Sequence, residues 1–115
     1  MKIDTAQEGA VTVVTLHGVI KLGESAREFS GFLQELLEGD AQSVLIDLAH
    51  IDHVDSTGLG ELVGYLQRFT EQGRRLALLS PPTRIMNLLK LTKLDEVFAI
   101  YSDRGEAVAA MRVES

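Results

Sequence analysis

Two adjacent hydroxyls, Ser56 and Thr57, follow an acid and precede a Gly-x-Gly in the hexapeptide Asp55-Ser56-Thr57-Gly58-Leu59-Gly60. Such an oxygen can attack a substrate, accept a phosphoryl group or cap the unpaired amides of a helix. Attack needs a base and a group to orient it. His50 and His53 are close in sequence, but Gly-x-Ser-x-Gly is missing, and two histidines on one short segment do not form a relay by spacing alone. Asp47, His50, Asp52, His53 and Asp55 include metal-ligand types, yet their spacing fits no zinc pattern and they read as solvated loop residues. His17 reads as structural or exposed. A dinucleotide fingerprint built on Gly58-x-Gly60 requires a small residue at position 63, which is Val63, and no Gly-Lys-Ser/Thr occurs for a phosphate loop. No catalytic residue, no metal and no cofactor is expected from these residues.

The elements around the hexapeptide place it where a loop turns into a helix. The apolar run Val44-Leu45-Ile46-Asp47-Leu48 precedes it as a strand (Ser43 to Leu48), and an amphipathic stretch follows to about Gln72, with Gly73 as its stop. At ~100° per residue, Leu59, Leu62, Val63, Leu66 and Thr70 fall on the core side of that helix. Gly58, Gly60 and Gly64 each cost about 0.8–1 kcal/mol against alanine in a helix interior. Gly60 and Gly64 lie away from the predicted core side. Either another molecule's backbone comes close there or the neighbouring third helix does. For an isolated Asp-Ser-Thr, a plain N-cap would be explanation enough.

The rest of the chain reads as ββ(β)αβαβαβα. Lys2 to Glu8 and Ala10 to Leu16 form two strands, the second apolar on both faces, with a third short strand around Val19 to Leu22. Ser25 and Glu28 form a capping box for a first helix that Gly39 ends. Arg75 to Leu79 is a strand, and Ser80-Pro81-Pro82 opens a third helix with proline in its first turn. Val97 to Tyr101 is a last strand, and Asp103 to Met111 a helix capped by Ser102 or Asp103. At 115 residues, with 45% hydrophobic and 24% charged residues, this is a single α/β domain over residues 1–115, with about four to five strands and about four helices. The net charge of −6, with 17 acids against 11 bases, repels phosphate backbones, so direct nucleic-acid binding is not expected. There is no cysteine, and no apolar run approaches the ~18–20 residues of a membrane span; cytoplasmic residence without membrane insertion is the expectation.

The constellation resembles the STAS domain, and within it the anti-sigma factor antagonists. The resemblance rests on Asp55 to Gly60 after Leu45-Ile46-Asp47-Leu48 and Ile51-Asp52-His53-Val54. It extends to the Gly18 turn, the Gly73 stop, the Arg75-to-Leu79 strand and the segment Arg84 to Leu94. It implies a mixed β-sheet domain and a phosphorylation site at Ser56, with Thr57 as the alternative. It implies a partner that is both anti-sigma factor and ATP-dependent serine kinase, bound by the unphosphorylated form so that a sigma factor is freed, and a PP2C-like phosphatase that restores binding. The partner-binding set is Asp55, Ser56, Thr57, Gly58, Gly60, Gly64 and Lys21, and a monomer or weak dimer is expected. The alternative is a STAS scaffold in a stress-signalling complex, or a transporter's accessory subunit, without a phosphorylation switch. The chain departs from the family pattern twice. Val19-Ile20-Lys21 stands where an acid pair flanking an apolar residue is common, which offers Lys21 to Asp55 or to phosphorylated Ser56. Thr92-Lys93-Leu94 stands where Thr-Gly-Leu is common.

Overall fold

Gly9, at φ 63, sits in the turn that folds β1 (Lys2–Glu8) back antiparallel onto β2 (Val11–Ile20). The remaining strands, β3 (Ser43–Val54), β4 (Arg75–Leu79) and β5 (Ala99–Tyr101), add in parallel, giving a mixed sheet of order β1-β2-β3-β4-β5. Among the described residues four α-helices connect or follow them: α1 (Glu24–Glu38), α2 (Ser56–Glu71), α3 (Thr83–Leu91) and α4 (Arg104–Met111), with a short 3₁₀ turn at Leu94–Glu96 before β5. The computed structural model describes residues 1–112; positions 113–115, the end of the expected domain, lie outside the described residues.

A sheet whose parallel strands add in sequence order puts right-handed crossovers on one face. Accordingly α1, α2 and α3 share one core with that face: Val14, Leu16, Val44, Ile46, Leu48, Leu76 and Leu78 meet Phe29, Leu33, Leu62, Phe69, Ile85 and Leu89. The alternate strand residues, Val11, Val13, Leu45, Ala77 and Leu79, meet Ala107, Val108 and Met111 of α4 on the other face. This is why β2 is apolar on both sides. No helix among the described residues is long and apolar enough to cross a membrane.

Besides the last strand, which starts at Ala99 because Val97 closes the turn before it, three sequence expectations about the strands and helix start that frame the hexapeptide change. The separate third strand does not exist: β2 continues through Gly18, at φ 113, to Ile20. The strand before the hexapeptide runs six residues further than expected, to Val54. Its pairing with β2 slips between Thr15 and His17 and again between Gly18 and Val19. Each slip is a bulge that resets which face a side chain meets. Leu48, Ile51 and Val54 therefore all reach the helical core at a spacing of three. A period of two could not predict that. Third, Ser25 is no N-cap. Gly23, at φ 112, holds that position, and the Ser25 hydroxyl instead accepts from the Lys21 amide (3.0 Å) and donates to the Lys21 carbonyl (3.1 Å).

The helix ends show a further device. Gly73, at φ 71, closes α2 with the Arg74 amide on the Phe69 carbonyl (2.8 Å) and its own on Thr70 (2.9 Å). Gly39 marks the end of α1 but stays at φ −82, so it supplies no left-handed cap. Arg74 does the work instead. Its guanidinium, with the residue 8% exposed, lies over the Phe69 ring and donates to the carbonyls of Leu36 (2.9 Å), Leu37 (2.8 Å) and Ala41 (2.8 Å). The first two are orphan acceptors of the last turn of α1 and the third belongs to the loop after it, all tied to the chain 33–38 residues later.

Candidate functional site

The two bulges end β3 at Val54 and hand the chain to Asp55, the N-cap of α2. One carboxylate oxygen accepts from the Gly58 amide at 3.0 Å, the usual capping bond. The other accepts from the Leu22 amide at 2.9 Å, across 33 residues of sequence. The Asp55 amide donates to the Ile20 carbonyl at 3.1 Å. Asp55 thus fastens the start of α2 to the loop between β2 and α1. The Gly58 and then the Leu22 hydrogen bond stabilise the charged form, and its pKa lies below the ordinary carboxylate value although partial desolvation opposes this.

With both oxygens held by amides, the Asp55 carboxylate does not bond the Ser56 hydroxyl. Ser56 is the first helical residue and is exposed; Thr57 is half-buried. Gly58 is buried for a packing reason: a Cβ there would stand 2.8 Å from Ile20 Cγ2, 2.9 Å from Val54 Cγ1 and 3.0 Å from the Ile20 carbonyl oxygen. Gly60 and Gly64 differ, since an added Cβ at either would meet nothing within 4 Å. The third helix therefore does not come close to them. The buried stripe of α2 is Gly58, Leu59, Leu62, Tyr65 and Phe69; Val63 and Leu66 are half-buried and Thr70 is exposed. The aromatics rotate the core face from the one that periodicity suggested.

On one side of the hydroxyls a groove of about 530 Å³ runs between α1 and α2 from Leu22 and Thr57 past Ala26, Arg27 and Glu61 to Tyr65. The Tyr65 hydroxyl donates to Gln34 Oε1 at 3.0 Å. Leu22 is 77% exposed. It carries no local signal of a role, because its tie to the site is the long-range bond from its amide. Lys21 is exposed on the same loop, and no ion pair among the described residues joins it to Asp55. Of the histidines and acids read as loop residues, Asp47, His50, Asp52 and His53 belong to β3, and Asp55 caps α2. His50 stacks on His17 of β2 at 4.8 Å, and Asp47 accepts from the Ala49 amide at 2.9 Å.

The model of the STAS domain matches residues 2–107. The chain belongs to the STAS domain family. A Thermotoga maritima protein, named provisionally as an anti-sigma factor antagonist, is 30% identical over 90 residues, covering 77% of this chain and 80% of that protein. A crystal structure of a Thermotoga maritima protein with the same provisional description superposes with a TM-score of 0.90 over 96% of this chain and 95% of that one, at 24% identity. The Bacillus cell-fate determinant SpoIIAA, solved in its phosphorylated form, superposes with a TM-score of 0.75 over 96% of this chain and 100% of that one, at 15% identity. The five-stranded mixed sheet with four helices is the STAS fold that these neighbours share.

Proposed function

We propose that this STAS domain is an anti-sigma factor antagonist whose association with its partner ends when Ser56 is phosphorylated. The partner in this reading is an anti-sigma factor that is also an ATP-dependent serine kinase. A PP2C-like phosphatase resets the switch, and the chain itself catalyses nothing. The observation that carries the reading is the state of Ser56: an exposed hydroxyl on the first turn of a 16-residue helix, beside a carboxylate already held by two amides. The names of the relatives and the phosphorylated SpoIIAA of like fold lend it support.

The physics runs as follows. Phosphorylation adds about −1.5 to −2 charges. The N-terminus of α2 favours an anion through its dipole, so the domain tolerates the group. The Gly58 amide is already taken by Asp55, which leaves the phosphate at the surface where a partner must dock. Charge repulsion and the cost of desolvating the phosphate then expel that partner. Lys21, exposed on the loop that Asp55 holds, is placed to tune the balance.

The test is capture of the partner from an extract of the source cell on immobilised chain, with intact-mass analysis of the bound and free pools. Ser56→Ala is expected to retain the kinase and stay unmodified, while Ser56→Asp loses it. Thr57→Ala should still be phosphorylated. Capture by Ser56→Asp at the wild-type level would refute the switch.

A further inference from the structure

On the other side of the switch, beyond His53 and Val54, lies a second groove of about 320 Å³. Its apolar lining is Val54, Ile85, Leu88 and Leu91, its polar lining His53, Arg84 and Asn87, and no acid lines it. Leu91 is the most exposed large apolar residue among those described, at 82%. The charge on the groove's α3 side is opposite to that of the chain, while Asp52, exposed next in sequence to His53, stands on the β3 side. Between Glu71 and Asp95 the sequence has no acid, whereas the whole protein carries −6. Arg84 and Lys90 of α3, with Lys93 just beyond, are all exposed. Asp55, the acid next in sequence to the groove's Val54, is turned onto the amides of Leu22 and Gly58.

From this combination we infer that the α3 groove is a second docking site for the same partner, and that it receives an acidic amphipathic segment of that partner. The identity of the partner rests on the switch reading above; the chemistry of the segment rests on the groove. Apolar side chains of the segment cover Leu88 and Leu91, and its carboxylates meet Arg84, Lys90 and Lys93. Charge complementarity of this kind sets orientation and steers association. It also sharpens the switch. The groove shares Val54 with the end of β3, and Ser56 follows two residues later. The acidic surface that α3 attracts is therefore the surface that a phosphate at Ser56 repels.

The probe is a synthetic amphipathic helical peptide of about 18 residues, leucines on one face and glutamates on the other, titrated into the ¹⁵N-labelled chain. Controls are the same peptide with lysine for glutamate, and vesicles of phosphatidylserine in phosphatidylcholine. The expected result is amide shifts confined to His53, Val54, α3 and the turn after it as far as Lys93, with the acidic peptide only, weakening as salt is added. Leu91→Glu, exposed and therefore without effect on the melting temperature, should weaken binding roughly tenfold or more. Arg84→Glu with Lys90→Glu should abolish it, and Ser56→Asp should weaken it on the order of threefold through charge alone. Shifts centred away from His53, Val54 and residues 83–93, equal binding of the lysine peptide, affinity for the vesicles without the peptide, or indifference to Ser56→Asp would each overturn the inference. Failure of the switch reading appears separately, as equal partner capture by the Ser56→Ala and Ser56→Asp chains, in which α3 is untouched.

Discussion

Alanine at Gly58 and alanine at Gly60, two residues apart in one helix, should move stability in opposite directions. At Gly58 the new methyl would lie 2.8 Å from Ile20 Cγ2 and 2.9 Å from Val54 Cγ1, against ordinary carbon contacts of about 3.5–4.0 Å. The two methyls can shift, but the Ile20 carbonyl oxygen, 3.0 Å away, is held by the Asp55 amide at 3.1 Å. Relief must come from moving the start of α2 itself. Overpacking costs about 1–3 kcal/mol, the held carbonyl puts this site at about 2–3 kcal/mol, and the better helix propensity of alanine returns at most about 1 kcal/mol. The net expectation is a loss of roughly 1–2 kcal/mol. At Gly60 nothing lies within 4 Å, so only propensity acts and the gain is about 0.8–1 kcal/mol. The two variants should thus differ by about 2–3 kcal/mol. At ~4 °C per kcal/mol for a domain of this size, that is about 8–12 °C in melting temperature. Urea unfolding followed by far-ultraviolet circular dichroism gives the free energies directly, with unchanged m-values as the check on two-state behaviour. A Gly58→Ala chain as stable as wild type, or a Gly60→Ala chain destabilised to the same extent, would refute the packing argument. Gly60→Ala should also weaken partner capture if that open edge is covered in the complex.

Three further outcomes are expected. Arg74→Met still offers an apolar side chain to cover Phe69 but loses the cation over the ring and strips the hydrogen bonds from the Leu36, Leu37 and Ala41 carbonyls; a loss of about 2–4 kcal/mol in urea unfolding is expected, with faster amide exchange at the end of α1. Lys93 adopts φ 63, so the turn after α3 keeps a left-handed form without glycine, and Lys93→Gly should raise stability by about 1 kcal/mol in thermal melts. The pKa of Asp55 is depressed in the folded chain, so in the acid range the unfolded chain binds more protons. Its contribution is complete above the unfolded value of about 3.9 and fades as pH falls through the lower folded value. Asp55→Asn should therefore flatten the acid limb of the stability–pH curve relative to wild type; an unchanged acid limb would contradict the two-amide clamp.

Much of the fold was legible because its signals are local. Alternation on both faces marked β2 as covered on both sides, and the spacing of Ala26, Phe29 and Leu33 marked α1. Asp55 and Asp103 cap α2 and α4 as their types and positions suggested, the second accepting from the Glu106 amide at 2.8 Å. The prolines read differently: α3 begins at Thr83, so both stand outside it, Pro82 as its cap residue and Pro81 before that. The illegible parts are those in which a distant group overrides a local preference. Ser25 and Glu28 had the form of a capping box, but the Ser25 hydroxyl bonds the Lys21 backbone, and the Asp55 carboxylate holds the next residue, Leu22.

The sequence by itself determined which residues carry the chemistry. An acid, two hydroxyls and glycines at a strand-to-helix turn are a local statement, because a cap, a first turn and the absence of a side chain are properties of adjacent residues. Only the tertiary structure decided how they stand. It assigned Gly58 to packing and Gly60 to open space, since the distinction lies in how near Ile20 and Val54 come. It turned Asp55 onto Leu22 instead of Ser56, and its two bulges carried β3 on to Val54. It also set the basic, apolar face of α3 beside the end of that strand. Each of these depends on contacts between segments remote in the chain, whose geometry no window of neighbouring residues contains.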